Sequence, residues 1–413
     1  MVSLYNLYMI VRMIVNKGTR TLLLDMRNYF KEDENFSMYK WFKTLFIMIK
    51  GEKIIKFGDQ YILHSFLPPI PSNAIWSNFK ATVTNINKYT QHYTGKRSAP
   101  VSMYLCVTNN CPNNCPFCSV KGKKLDKPEL TTDQWITTIN KLQNMGTAII
   151  GFTGGEPMLR KDIIDIVKSV DDRSVSLIFT SGINLTKEKA MQLKQAGLFG
   201  FGVSIPSNPF SEENLERTNI SLKAMKISRD SGIYTTAHIV LTPKDITKKH
   251  LFRVFKLLKP YVNDIRIFSP IFSGNMINLL NPKEYLLTEK DKQKYIKIQF
   301  QANRRWWMPK VTSDLYTERG DKMGCNAALL HSYISATGEL CPCDFWDEPF
   351  GNVVTGDISR LWNDMRTSIS SPKNVCIAHN KNISQQGFAC GNELLSCCGV
   401  EGDPIFYKKM KGE

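Results

Sequence analysis

The chain has 413 residues, of which 42% are hydrophobic and 11% aromatic, enough for two or three domains with full cores, and a disordered or low-complexity protein is excluded. No run of 18 apolar residues occurs, and the N-terminus lacks the cationic start, apolar run and small-residue cleavage site of a secretory signal; a cytoplasmic protein without a membrane span is expected. A formal net charge of +17 leaves room for peripheral contact with an anionic membrane or another acidic partner, although solubility is the commoner reason for a basic surface.

Residues 1–98 read as a separate N-terminal region. Leu4 to Val15 and Tyr39 to Ile49 have the spacing of helices with broad apolar faces. Lys53 to Leu63 predicts a hairpin turning at Gly58-Asp59. Leu67-Pro-Pro-Ile-Pro-Ser72 can only be extended, because each proline removes a donor and restricts the residue before it. Basic Gly95-Lys-Arg-Ser98 is read as a linker.

Residues 99–275 alternate apolar runs with amphipathic stretches, the pattern of βα units on a parallel sheet. Strands are predicted at Met103–Thr108, Ala148–Thr153, Val175–Thr180, Gly200–Ile205, Tyr234–Leu241 and Ile265–Ile271. Helices are predicted at Thr131–Asn144, Asp162–Val170, Lys187–Ala196, Glu212–Ser231 and Lys248–Leu258. Six such units make a partial (β/α)6 barrel, and reactive groups then belong just past the C-terminal strand ends. A helical connection at 276–322 leads to a small cysteine-rich α+β extension at 323–413.

The stretch after the first strand is Cys111-Pro-Asn-Asn-Cys115-Pro-Phe-Cys118. Its CX3CX2C spacing can wrap three thiolates round one cuboidal iron-sulfur cluster, and with no fourth cysteine at ligand spacing one iron stays open. Zinc binding with Cys106 and a redox pair at Cys115 and Cys118 are the alternatives. A single CXXC suits a zinc ribbon poorly, and Cys106 lies inside the strand pattern, where a core role is expected. The spacing, with Phe117 before the last cysteine, resembles the signature of the radical S-adenosylmethionine (radical SAM) enzymes.

That resemblance implies a [4Fe-4S] cluster on Cys111, Cys115 and Cys118 that binds S-adenosylmethionine (SAM) and, with an electron from a flavodoxin- or ferredoxin-type donor, cleaves it to a 5'-deoxyadenosyl radical. Gly154-Gly155-Glu156-Pro157 resembles the family's GGEP motif, which implies contact with the SAM amino group. The glycines would allow close backbone approach, and Glu156 would supply an acceptor. Thr180-Ser-Gly182 resembles the family's Thr-Asn-Gly. Ser204, in Val203-Ser-Ile-Pro206, and Arg217 stand where relatives contact the SAM ribose or carboxylate. The planar guanidinium fork of an arginine suits a carboxylate. Here Ile205-Pro206-Ser207 departs from the usual Asp-Gly.

Further on, Cys325, Gly338 and Cys343 form CX12GX4C. With the hairpin Tyr333 to Leu340, Phe350-Gly-Asn-Val353 and Ile358 to Trp362, this resembles the SPASM or twitch auxiliary-cluster extension. A second, auxiliary [4Fe-4S] cluster is expected on Cys325, Cys343, Cys390 and Cys397, with Cys341, Cys376 and Cys398 unassigned. Zinc is the alternative metal, since both accept four thiolates. His331 and His379 are read as surface or hydrogen-bonded residues. The extension implies a ribosomally synthesised peptide as substrate. The alternatives are a lipid or apolar small molecule at a membrane face and, in another class, a zinc-stabilised nucleic-acid-binding protein; no nucleic-acid partner is expected on the first reading.

Overall fold

The computed structural model describes residues 3–31, 39, 46, 49–64, 67–82, 97–121, 127–319, 322–369 and 376–379. Most of the expected helix at Tyr39 to Ile49, and Cys390, Cys397 and Cys398, lie outside them.

The barrel strands fall where apolar alternation places them. They are β3 (Ser102–Thr108), β4 (Ile149–Gly154), β5 (Val175–Thr180), β6 (Gly200–Ser204), β7 (Tyr234–Val240) and β8 (Asp264–Phe268), each hydrogen-bonded in parallel to the next. The helices between them are α4 (Thr132–Met145), α5 (Ile163–Lys168), α6 (Lys187–Gln195), α7 (Leu215–Asp230) and α8 (Lys248–Leu258). Local chemistry fixes their ends: α4 starts at a capping box between Thr131 and Gln134 and stops at Gly146, where φ is +102°.

The sheet is wider than the six predicted strands. Lys310–Ser313 adds β9 in parallel beyond β8, within the stretch expected to be a helical connection around α9 (Glu289–Asn303), and α10 (Asp314–Thr317) follows it. On the other edge the expected Tyr333 to Leu340 hairpin appears as β10 (His331–Ile334) and β11 (Leu340–Cys341), with Gly338 at φ +86° in its turn. Strand β10 pairs in parallel with β3, so the start of the C-terminal extension is part of the barrel sheet. The turn is stitched by Asn352, whose Nδ2 donates to Thr337 O at 2.8 Å, and α11 (Ile358–Ser368) follows with Trp362 buried.

Alternation along the strands separates two environments. On β8, Ile265 and Ile267 join Leu251, Val254, Phe255 and Leu258 of α8 in the core between sheet and helices, while Asp264, Arg266 and Phe268 lie on the opposite, inner face. The inner face carries aromatic rings: Tyr104 lies 4.7 Å from Phe179, and Phe179 lies 5.3 Å from His238. Gly151 and Gly202 make room for them, since a Cβ at Gly151 would stand 2.6 Å from Tyr104 and one at Gly202 2.5 Å from His238.

The N-terminal region forms its own core and packs against the base of the barrel sheet. Helices α1 (Leu4–Val15) and α2 (Lys17–Tyr29) bury Met9, Met13, Leu22 and Met26 against Ile54, Tyr61, Ile70, Ile75 and Phe79. Strands β1 (Ile55–Phe57) and β2 (Gln60–Ile62) form the predicted hairpin, and the extended proline run is held to it by Ile70 bridging Tyr61. A short helix, α3 (Asn73–Lys80), follows. Phe57 packs 5.2 Å from Tyr234, at the start of β7, and 5.9 Å from Phe199. Beside it, fully buried Lys310 at the start of β9 donates to Glu52 Oε2 at 2.8 Å and to the carbonyls of Lys53 and Leu63. Arg97, expected in a linker, is instead buried, and its guanidinium donates to Asn78 O and Oδ1, Thr82 Oγ1 and Ala99 O.

Candidate active site

The three cysteines of the CX3CX2C stretch lie in the loop that leaves β3 at the C-terminal end of the sheet, and all are free and partly exposed. Five neighbours fix the root and tip of this loop. Glu129 Oε1 accepts from Thr108 Oγ1 and from Asn109 N at 2.7 Å. Arg160 donates to Val107 O and Leu130 O. The backbone N–H groups of Gly155 and Glu156 reach Thr108 O at 2.7 Å and Asn110 O at 2.8 Å. Finally Asn275, in the turn after β8, gives its Nδ2–H to Cys115 O at 2.9 Å and its backbone N–H to Cys118 O at 2.9 Å.

Several donors face the sulfurs. Lys121 N stands 3.2 Å from Cys118 Sγ, Asn113 Nδ2 3.8 Å from Cys111 Sγ, and Arg217 Nη2 3.5 Å from Cys115 Sγ. Burial pushes the Cys111 thiol up, partly offset by the N–H groups of Asn113. Arg217 Nε is buried and unpartnered among the described residues. A half-buried guanidinium with an unused, buried Nε donor beside the Cys115 thiol fits an anionic group at this loop, because an unmade hydrogen bond of a cation costs more than that of a neutral group. No three His, Cys, Asp or Glu side chains among the described residues are gathered so as to hold one metal ion. Cys106 is buried in the sheet, with its thiol donating to Asn109 Oδ1 at 3.0 Å, as a core residue.

Gly154 and Gly155 are required, for a different reason from the one expected. A Cβ at either would come within 2.2 Å of the carbonyl oxygen of Thr108 or Asn110, so the close approach they permit is to the base of the cysteine loop itself. Glu156 is also used differently. Its buried carboxylate accepts from Met158 N and Thr180 Oγ1 on Oε1, and from Ser181 N and Oγ on Oε2. Four donors occupy its acceptor sites, so in this conformation Glu156 fastens the turn after β5 to the turn after β4 and is not an open acceptor for an ammonium. Pro157 opens the following short helical turn, and Ser204 ends β6, where its carbonyl accepts from Ser221 Oγ at 2.7 Å.

In the C-terminal extension, Cys325 and Cys343 are both buried and close enough to influence each other, since burial first, then Asp344 and Cys325, push the Cys343 thiol well up. Cys341, the last residue of β11, lies in a separate cluster with Cys106 and Tyr333. His331 is hydrogen-bonded between Ser102 Oγ at 3.0 Å and Asp344 Oδ1 at 2.9 Å, and buried His379 accepts from Phe272 N at 3.2 Å. Asn275, Glu129 and Arg160 carry no motif of their own; only the pairing of distant loops makes them part of the site.

Residues 105–258 match the Radical SAM superfamily, a little over a third of the chain. It is similar to the PqqA peptide cyclase of Bradyrhizobium diazoefficiens, 38% identical over 102 residues, or 24% of this chain and 27% of that protein. The chain thus spans about a quarter of that curated relative. Among solved structures it resembles Streptococcus suis SuiB bound to its precursor peptide SuiA, with a TM-score of 0.60 and 14% identity over 79% of this chain and 81% of that one. It also resembles anSMEcpe with bound AdoMet, at a TM-score of 0.50 and 14% identity over 66% and 84% of the two chains. At these identities the likeness establishes the fold, a mixed α/β partial radical SAM barrel.

Proposed function

We propose that this chain is a radical SAM enzyme that removes a hydrogen atom from a ribosomally synthesised peptide. The observation that carries the reading is the free CX3CX2C loop at the C-terminal end of β3, inside the matched domain, with half-buried Arg217 against Cys115. When bound, a [4Fe-4S] cluster on Cys111, Cys115 and Cys118 would pass one electron to SAM, yielding methionine and a 5'-deoxyadenosyl radical that becomes 5'-deoxyadenosine on taking the substrate hydrogen. The chain's own residues hold and orient. Arg217 places a planar cation where a SAM carboxylate can meet it. Backbone at Gly154 to Pro157, with Ser204, lines the remaining SAM contacts. Because the Glu156 carboxylate is spent on Thr180 and Ser181, the ammonium acceptor is assigned to backbone carbonyls of that stretch.

An auxiliary cluster on Cys325 and Cys343, completed by Cys390 and Cys397, belongs to the same proposal, as does a flavodoxin- or ferredoxin-type donor. The peptide substrate is supported by what the relatives are named for: a peptide cyclase and a protein bound to its precursor peptide. Anaerobic reconstitution followed by iron and sulfide analysis, then addition of SAM and dithionite, tests the core of the reading. Brown protein that releases 5'-deoxyadenosine is expected; a colourless, zinc-loaded preparation inert towards SAM overturns it.

One observation favours a second reading, modification of a lipid or apolar molecule at a membrane surface. Helix α1 leaves Leu4, Leu7, Tyr8, Val11, Ile14 and Val15 exposed along one side, with no acidic residue in its first turn. No helix among the described residues is long and apolar enough to cross a membrane. Salt-sensitive co-sedimentation with anionic liposomes would favour this reading over a peptide substrate met in solution.

A further inference from the structure

The inner face of the barrel holds a charged group that the SAM site does not use. Arg266, at the middle of β8, lies cross-strand from His238 on β7 and from Thr312 on β9. Its side chain is 12% exposed, and its buried Nε has no hydrogen-bond partner among the described residues. The nearest carboxylate oxygen, Asp264 Oδ1, stands 4.0 Å away, beyond hydrogen-bond reach, while Asp264 Oδ2 already accepts from Tyr234 Oη at 2.7 Å. His238 Nε2 is likewise buried and without a hydrogen-bond partner among the described residues. Its ring is enclosed by Phe268 at 5.1 Å and Phe179 at 5.3 Å, and Tyr104 extends that wall.

A guanidinium held in an aromatic-walled interior, with Asp264 as a loose ion-pair partner at 4.0 Å but no hydrogen-bonded acceptor among the described residues, is costly, and the cost is recovered when a ligand brings the missing acceptor. Asp264 is a weak candidate for that acceptor, because burial pushes its carboxyl up and so disfavours its charged form. The planar fork of Arg266 matches a carboxylate, and His238 adds a further polar contact one strand away.

We propose that Arg266, with His238 beside it, is a substrate subsite that binds a carboxylate, so that the modified peptide presents an acidic side chain or its C-terminal carboxylate to the barrel interior. The inference rests on the proposed enzyme reading for the word substrate, but the anion site itself does not depend on SAM cleavage.

The test is equilibrium dialysis of the full, anaerobically reconstituted chain against two small probes, acetyl-glutamate N-methylamide and its neutral isostere acetyl-glutamine N-methylamide. The anion is expected to bind and the isostere to bind at least about tenfold more weakly, the scale of one charge-assisted contact. Arg266→Gln should remove the difference, Arg266→Lys should keep part of it, and Arg253→Gln, which removes an exposed cation, should leave it unchanged. Equal binding of the two probes to the unmodified chain overturns the proposal, even if Arg266→Gln proves unstable. So does an equal loss in Arg253→Gln, which would assign the binding to overall surface charge. Formation of 5'-deoxyadenosine by the unmodified chain is measured in parallel. Its absence would sink the enzyme reading while leaving the dialysis result to decide the anion site.

Discussion

Arg217 Nη2 and Cys115 Sγ stand 3.5 Å apart although 102 positions separate them in the chain. The contact joins the start of α7 to the loop after β3, and it makes one arginine a neighbour both of the proposed cluster ligand and of the space in which SAM would lie. Replacing Arg217 by Lys keeps the charge but loses the fork, and about a tenfold rise in the SAM dissociation constant is expected, near the 1.4 kcal/mol of one charge-assisted hydrogen bond. Isothermal titration with SAM checks it; an unchanged constant would remove Arg217 from the site.

Cys115→Ala should abolish 5'-deoxyadenosine formation while leaving iron bound elsewhere in the chain. The complementary change, Cys343→Ala, should lower iron content by roughly one cluster and leave the SAM-dependent signal in the spectrum, because loss of a thiolate ligand usually destroys a cuboidal site. Iron and sulfide analysis of both proteins separates the two centres.

Gly274 has φ of +54°, and a Cβ there would stand 2.3 Å from Cys118 O. Gly274→Ala therefore pushes the turn carrying Asn275 away from the cysteine loop. Reduced cluster retention after desalting is expected at nearly unchanged overall stability, since the strain falls on two surface turns. Comparing iron content with the melting temperature tests this directly.

The Glu52 to Lys310 pair has both side chains fully buried at 2.8 Å. Glu52→Gln would strand a buried ammonium, and a loss of about 3–5 kcal/mol is expected, larger than for any surface ion pair. Denaturant unfolding of the two proteins gives the number.

Burial lowers the His379 pKa from 6.5 to about 4, consistent with its Nδ1 accepting the Phe272 N–H, which only the neutral ring can do. Between pH 6.5 and 4 the unfolded chain thus binds more protons at this position, so stability is fully present above 6.5 and falls as pH drops towards 4. The effect is up to about 3 kcal/mol by the usual conversion of pKa differences. His379→Gln should flatten that part of the stability curve, as followed by thermal melts across the range.

Much of the barrel was legible because its strands are long, apolar on the helix side and separated by helices with clear caps; α8 begins and ends where its periodicity placed it. Strand β9 was not, because Lys310-Val-Thr-Ser313 is short and starts with a lysine whose burial depends on Glu52, 258 positions away. Helix α2 was missed for a related reason: Thr19, Leu22 and Met26 form a thin buried stripe in an otherwise polar run that includes Gly18. At the site, cysteine spacing carried the reading. The job of Glu156 could not be read, since a GGEP tetrapeptide does not say whether its carboxylate meets a ligand or the hydroxyls of the next turn.

The hairpin of β1 and β2 packs against the end of the barrel sheet opposite the cysteine loop. With Phe57 beneath the strands and Glu52 paired to Lys310, that end is filled by the chain's own residues, and on the proposed reading both the molecule to be modified and the source of the reducing equivalent are expected at the cysteine-bearing rim. Two visitors sharing that rim would compete, and turnover should then slow when either is supplied in large excess.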